Sequence, residues 1–167
     1  MFTLSPPTLL SFAITPISAA FVERVRATLR DDFGRTVAVT LAAGGEPMRD
    51  QLRRASPGER LILCSYQAIA LPSPFAEIGP VYVSADAPAP VPFRGALPPG
   101  YFNRTFALRA YDHRDCIVES TLVEPAASLD KFAEFLARDD VAYLHARFAS
   151  HGCFAARIER APSGDTL

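Results

Sequence analysis

Lysine is almost absent from this chain of 167 residues: Lys131 stands alone, and every other long basic side chain is an arginine. Such usage follows genome composition more readily than function. It still means that an anion held here by a base is held by a planar guanidinium fork. Cysteine is scarce too. Cys64, Cys116 and Cys153 are odd in number and far apart, which argues against a disulfide framework and against a zinc site. The expectation is a reduced, cytoplasmic protein that takes no metal and no cofactor. Excess charge is missing: a net charge of −1 leaves no electrostatic footprint for nucleic acid, and 49% hydrophobic residues exclude disorder. A long hydrophobic run is missing as well. The stretch from Leu9 to Phe21 is apolar, but no basic residue precedes it and Pro16 interrupts it, so it is read neither as a signal peptide nor as a membrane span.

Familiar catalytic motifs are also lacking. The chain has no G-x-S-x-G, no H-E-x-x-H and no C-x-x-C. Gly44-Gly45 has no following lysine and is not a phosphate loop. Ser128-Leu129-Asp130-Lys131 matches S-x-x-K without its companion motifs, and Ser128 is better explained as a helix cap.

What is present is a chain of strands with a helix towards each end. Residues from Leu9 to Ile14 suggest a first strand. Ser18 is placed to cap a helix in which Phe21, Val22, Val25 and Leu29 share a face, ending near Gly34. Thr36 to Leu41 reads as a strand, Glu46 to Arg54 as one helical turn opened by Pro47, and Ser56-Pro57-Gly58-Glu59 as a turn. Arg60 to Tyr66 is oily on both faces and reads as a central strand, and Gly79 to Ser84 as another. Ala85 to Gly100 is a proline-rich surface loop, a lid or a connector. Thr105 to Asp112 and Cys116 to Val123 form a hairpin around His113-Arg114-Asp115, followed by a helix with Leu129, Phe132, Ala133 and Leu136 on one stripe. The expected fold is one α+β domain over residues 1–167, a mixed and largely antiparallel sheet with two main helices packed on one face.

The C-terminal hairpin, Val141 to Arg160, carries the best chemical candidates. Strand side chains alternate. That puts Ala142, Leu144, Ala146 and Phe148 on one face and Tyr143, His145 and Arg147 on the other. A three-residue turn, Ser150-His151-Gly152, with Gly152 in the left-handed region, pairs residue 149 with 153 and sets His145 opposite Arg157. It also puts Phe154, Ala156 and Ile158 on the oily face. Cys153 then lies four residues along the ladder from that pair, roughly 13 Å, too far for a Cys–His dyad. Arg49, Arg60, Arg109 and Arg157 sit in or beside strands and turns, where a guanidinium pairs with Glu59, Glu119 or Glu159 or else holds a ligand anion.

Four stretches in this order resemble a known family: PMRDQLRRASPGERLILCSY from Pro47, GPVYV from Gly79, FALRAYD from Phe106 and YLHARFASHGCFAARIERA from Tyr143. Together, over roughly Glu46 to Ala161, they resemble the bacterial domain-of-unknown-function family 1203. The resemblance implies no assigned reaction, cofactor or partner. The family pattern near the first stretch reads Pro-Cys-Arg-x-x-Cys-Leu, with one or both cysteines present. Met48 and Gln51 stand at those positions here, so a thiol or metal role there does not carry over. Arg49, Arg109, His145, Cys153 and Arg157 do match.

Two functions of different class follow as expectations. In the first, the protein binds a small anionic metabolite, a carboxylate or phosphate, as a binding protein or an enzyme. Arg49, Arg109 and Arg157 then hold the substrate, and His145 and Cys153 are the catalytic candidates. In the second, the polar sheet face is a docking surface for an interaction partner or for a homodimer. Neither involves nucleic acid or a membrane.

Overall fold

The computed structural model describes residues 11–88 and 91–161. The expected entry segment, the first two residues of the opening strand (Leu9 and Leu10), Ala89 and Pro90 of the proline-rich loop, and the tail from Pro162 lie outside the described residues.

In chain order the first elements are β1 (Phe12–Thr15), α1 (Ala19–Thr28), β2 (Val39–Leu41), β3 (Pro47–Met48) and β4 (Arg53–Arg54). Next come β5 (Arg60–Ile69), β6 (Glu77–Ser84), β7 (Phe93–Arg94), β8 (Phe106–Tyr111) and β9 (Ile117–Val123). The chain closes with α2 (Ser128–Leu136), β10 (Tyr143–Phe148) and β11 (Phe154–Arg160). The class is α+β, but the strands divide into two sheets: a six-stranded one, β7-β1-β11-β10-β8-β9, and a five-stranded one, β2-β5-β6-β3-β4. All pairs are antiparallel except β3 with β6.

Each helix has its own sheet, which corrects the expectation of both on one face. Phe132, Phe135 and Leu136 of α2 pack on the inner face of the six-stranded sheet, against residues such as Phe106, Leu108, Leu144 and Ile158. Phe21, Val22 and Val25 of α1 pack on Ile62, Cys64, Val81 and Val83 of β5 and β6. Hydrophobic periodicity says that a strand has an oily face; it does not say which sheet the strand joins.

Three local expectations need correction. Glu46 to Arg54 is a tight β3–β4 hairpin, with Pro47 opposite Arg54 and Leu52 at φ +50°. Its polar appearance hides two anchors, Met48 and Leu52, both fully buried. Ser128 does not cap α2. A 3-10 turn at Pro125–Ala127 starts the coil earlier, so Ser128 is already helical and its hydroxyl donates to Pro125 O at 2.7 Å. The first helix stops at Thr28, well before Gly34, because Leu29 turns left-handed. Its start is as expected: Ser18 Oγ accepts from Phe21 N at 3.4 Å. Within the proline-rich segment, Phe93 and Arg94 pair with Ile14 and Ala13, so that part is fastened to the sheet edge.

The core against α1 makes one simple prediction. Cys64 is 3% exposed, and burial pushes its thiol up to about 12. An alkylating reagent applied to the folded protein is expected to label Cys116 and Cys153 and to reach Cys64 only on unfolding, as read by peptide mass mapping. Equal labelling of all three would show that this core is open.

Candidate functional site

The expected pairing of the C-terminal hairpin holds where it matters. His145 lies directly opposite Arg157 on one side and opposite Arg109 on the other. The three residues form a lateral row across β8, β10 and β11. Neighbouring strands lie about 4.8 Å apart, so the two arginine backbones are roughly 10 Å from each other with the imidazole between them.

Nearer the turn the hairpin departs from expectation. Ala146 pairs with Ala156, but Arg147 pairs with Phe154, leaving Ala155 as an extra, bulged residue. Phe148 N donates to Cys153 O at 3.0 Å and Gly152 N to Phe148 O at 2.7 Å, so residue 149 does not pair with 153. Gly152 does adopt the left-handed conformation, at φ +70°. The bulge reverses the facing of Phe154. Its ring leaves the α2 side and packs on the other, edge-on to His145 at 4.9 Å and tilted to Tyr66 at 5.6 Å.

His145 is therefore not on a solvated face. It is 1% exposed, with the rings of Tyr111, Tyr143 and Phe154 about it at 5.0, 5.1 and 4.9 Å. Much of the covering comes from the chain's own second sheet and the loop between β5 and β6. Tyr66 meets Phe154, Ile69 clusters with Tyr111 and Tyr143, and Phe75 lies edge-on to Tyr111. Burial, then the positive charges of Arg157, Arg147 and Arg109, push the imidazole down to about 3. The ring is neutral near pH 7. Its Nδ1 is buried and has no hydrogen-bond partner among the described residues. Most buried polar atoms of native proteins are paired.

The flanking arginines differ in their commitments. Arg157 lies over the Tyr143 ring at 3.6 Å and its Nε donates to Glu159 at 2.9 Å. Tyr143 in turn donates its hydroxyl to Asp115 at 2.6 Å, and burial together with that bond pushes its phenol well above the ordinary range. Arg109 stands beside the Tyr111 hydroxyl and forms no ion pair among the described residues. Arg147 is the member that sequence reasoning missed as a candidate. It is 8% exposed, its Nε donates to Gly152 O at 2.7 Å and its Nη1 pairs with Glu77. The signal was available: Arg147 stands two residues from His145 on the same strand face.

Cys153 and Arg49 stand apart from this row. Cys153 is on the rim of a cleft of about 200 Å³ between the hairpin and β5–β6, walled by Tyr66, Glu77, Gly79, Arg147 and Phe154. His145 lies behind Phe154 and does not line it. Arg49 is 3% exposed, with Nε donating to Phe154 O at 2.9 Å and Nη1 to Pro47 O at 2.6 Å. The carboxylates proposed as arginine partners are taken differently from residue to residue: Glu59 by Arg53, Glu119 by Arg138 and Glu159 by Arg157. Among the described residues no group of three His, Cys, Asp or Glu side chains is placed to hold a metal ion.

No curated protein and no solved structure matches the chain. A family model described as "Protein of unknown function (DUF1203)" does match, over residues 45–160, a stretch that includes the arginine–histidine row, and the chain belongs to that family.

Proposed function

We propose that this domain binds a small anionic metabolite, a carboxylate or a phosphate ester, at the arginine–histidine row of its C-terminal hairpin. The observation that supports this is the imbalance of charge about one imidazole. Arg109, Arg147 and Arg157 all act on His145, while the carboxylates paired with them are Glu77 on Arg147 and Glu159 on Arg157. Arg109 is left over. Arg109 and Arg157 are half-buried, so their donors sit in surroundings less screened than bulk water, where a charge-assisted bond is stronger.

His145 takes a different part. With its pKa near 3, it is a poor proton acceptor near neutrality. Buried behind the Phe154 ring, it serves as a neutral spacer that sets Arg109 and Arg157 on either side of it, not as a ligand contact. Anion attraction falls to Arg109 and Arg157, and their spacing to His145.

The test is a panel of mono- and dicarboxylates and phosphate monoesters, read by thermal shift and calorimetry on the wild type and on Arg109→Met and Arg157→Met. At least one anion is expected to bind, and each variant to weaken it about tenfold or more, the size of one lost charge-assisted bond. A panel without a binder, or one whose binder ignores both substitutions, overturns the proposal.

A further inference from the structure

Away from the histidine row, two arginines of the β3–β4 hairpin carry charge that no acidic group answers. Arg49 spends Nε and Nη1 on the main-chain carbonyls of Phe154 and Pro47, and its Nη2 has no partner among the described residues. Arg54 is half-buried. Its Nη1 donates to Gly45 O at 2.8 Å, and its Nη2 to Tyr101 O at 3.1 Å and Asn103 Oδ1 at 3.3 Å. Its Nε is buried without a partner. Both guanidiniums lie over the ring of Phe148, at 5.0 and 5.6 Å from its centroid.

Every one of these acceptors is neutral. Among the described residues neither Arg49 nor Arg54 has a carboxylate within 4.0 Å, whereas Arg53 between them in the hairpin is held by Glu59. Two like charges brought together away from water repel more strongly than they would at the surface. Burial first, with Arg54 adding to it, already draws the Arg49 guanidinium below its ordinary pKa. Carbonyl dipoles and an aromatic face offset part of that cost; an anion would offset more.

We propose that Arg49 and Arg54 form the cationic half of a second site, whose ligand is a small tetrahedral oxyanion, phosphate or a phosphate monoester, bound by Arg49 Nη2 and Arg54 Nε beside Phe148. The two unpartnered donors belong to separate guanidiniums. A tetrahedral group offers oxygens in several directions and meets both, while a planar carboxylate is suited to one fork. Tyr101 is not a further donor, because its hydroxyl is committed to Ala155 O at 2.9 Å. The site shares no residue with the histidine row.

The experiment titrates inorganic phosphate into the full chain at ionic strength held constant with sodium chloride, read by calorimetry and melting temperature. Wild type is compared with Arg54→Gln, Arg54→Lys and the double variant Arg109→Met/Arg157→Met. Saturable phosphate binding is expected in the wild type, with a component that is about tenfold weaker or worse in Arg54→Gln and that persists in the double variant, whatever phosphate the histidine row also takes. Arg54→Lys keeps the charge but not the Nε donor and is expected to recover only part of the affinity; if Arg54→Gln does not fold, a loss in the lysine variant decides in favour. No saturable binding in the wild type, or full binding in Arg54→Gln or Arg54→Lys, overturns the proposal. So does a loss confined to the double variant, which would move phosphate to the histidine row.

Discussion

As pH falls from 6.5 towards 3, the wild-type protein is expected to lose stability that a His145→Phe variant keeps. The imidazole has an ordinary value of 6.5 and is held at about 3 in the fold. Between those values the unfolded chain binds a proton that the native state refuses, so unfolding is favoured as protons are added. The contribution is fully present above 6.5, falls through the window at up to about 1.4 kcal/mol per pH unit, and is exhausted below the folded value. At pH 4 the gap between wild type and His145→Phe should therefore have moved by about 3 kcal/mol in favour of the variant, relative to pH 7. Carboxylates titrate in the same window, but equally in both proteins, so the difference isolates the histidine. Phenylalanine suits a position walled by Tyr111, Tyr143 and Phe154, and it removes the unpartnered Nδ1. Denaturant unfolding at pH 7, 5.5 and 4 measures the gap. Parallel curves for the two proteins would mean that the ring is solvated and that the row is an exposed surface.

Phe154→Ala is expected to cost about 3–5 kcal/mol, the range for deleting a buried aromatic ring, and to lower the melting temperature by on the order of 10 °C. Phe154 is 7% exposed and belongs to the cluster that joins α1, β5 and β6. Its ring is part of what holds the second sheet against the hairpin. The same ring lies on His145, so its removal admits water to the imidazole and relaxes the desolvation that depresses the pKa. The acid sensitivity attributed to His145 should shrink in Phe154→Ala, and the two substitutions should fail to add in a double-mutant cycle. A cost below about 1 kcal/mol would place the ring on an open surface and leave the imidazole without its wall.

Period-two alternation and turn chemistry were enough to pair His145 with Arg157. They left Arg109 as a strand arginine on another hairpin; the β8–β10 pairing supplied the third member of the row. Alternation failed at Phe154 for a definite reason. A bulge inserts one residue without any glycine or proline to announce it, and Ala155 fits a bulge no better than any other alanine would. Ser128 looked like a cap because serine favours that position, yet Pro125 had already started a tighter coil. In Glu46 to Arg54 the polar residues outnumber the apolar ones, but the two buried anchors, Met48 and Leu52, set the conformation.

The sequence by itself determined the class, most of the strands, both helices and the facing of His145 towards Arg157, because each of these depends on side-chain spacing within about twenty residues of chain. Tertiary structure alone decided that the polar face would be roofed. The second sheet brings Tyr66, Ile69 and Glu77 over it, from positions tens of residues away in the chain. A pattern written along one strand records which side each group takes; it holds no record of what arrives to cover that side. The charge of an imidazole depends on that cover, through desolvation and through the guanidiniums enclosed with it, and so the fold rather than the spacing makes His145 a neutral group.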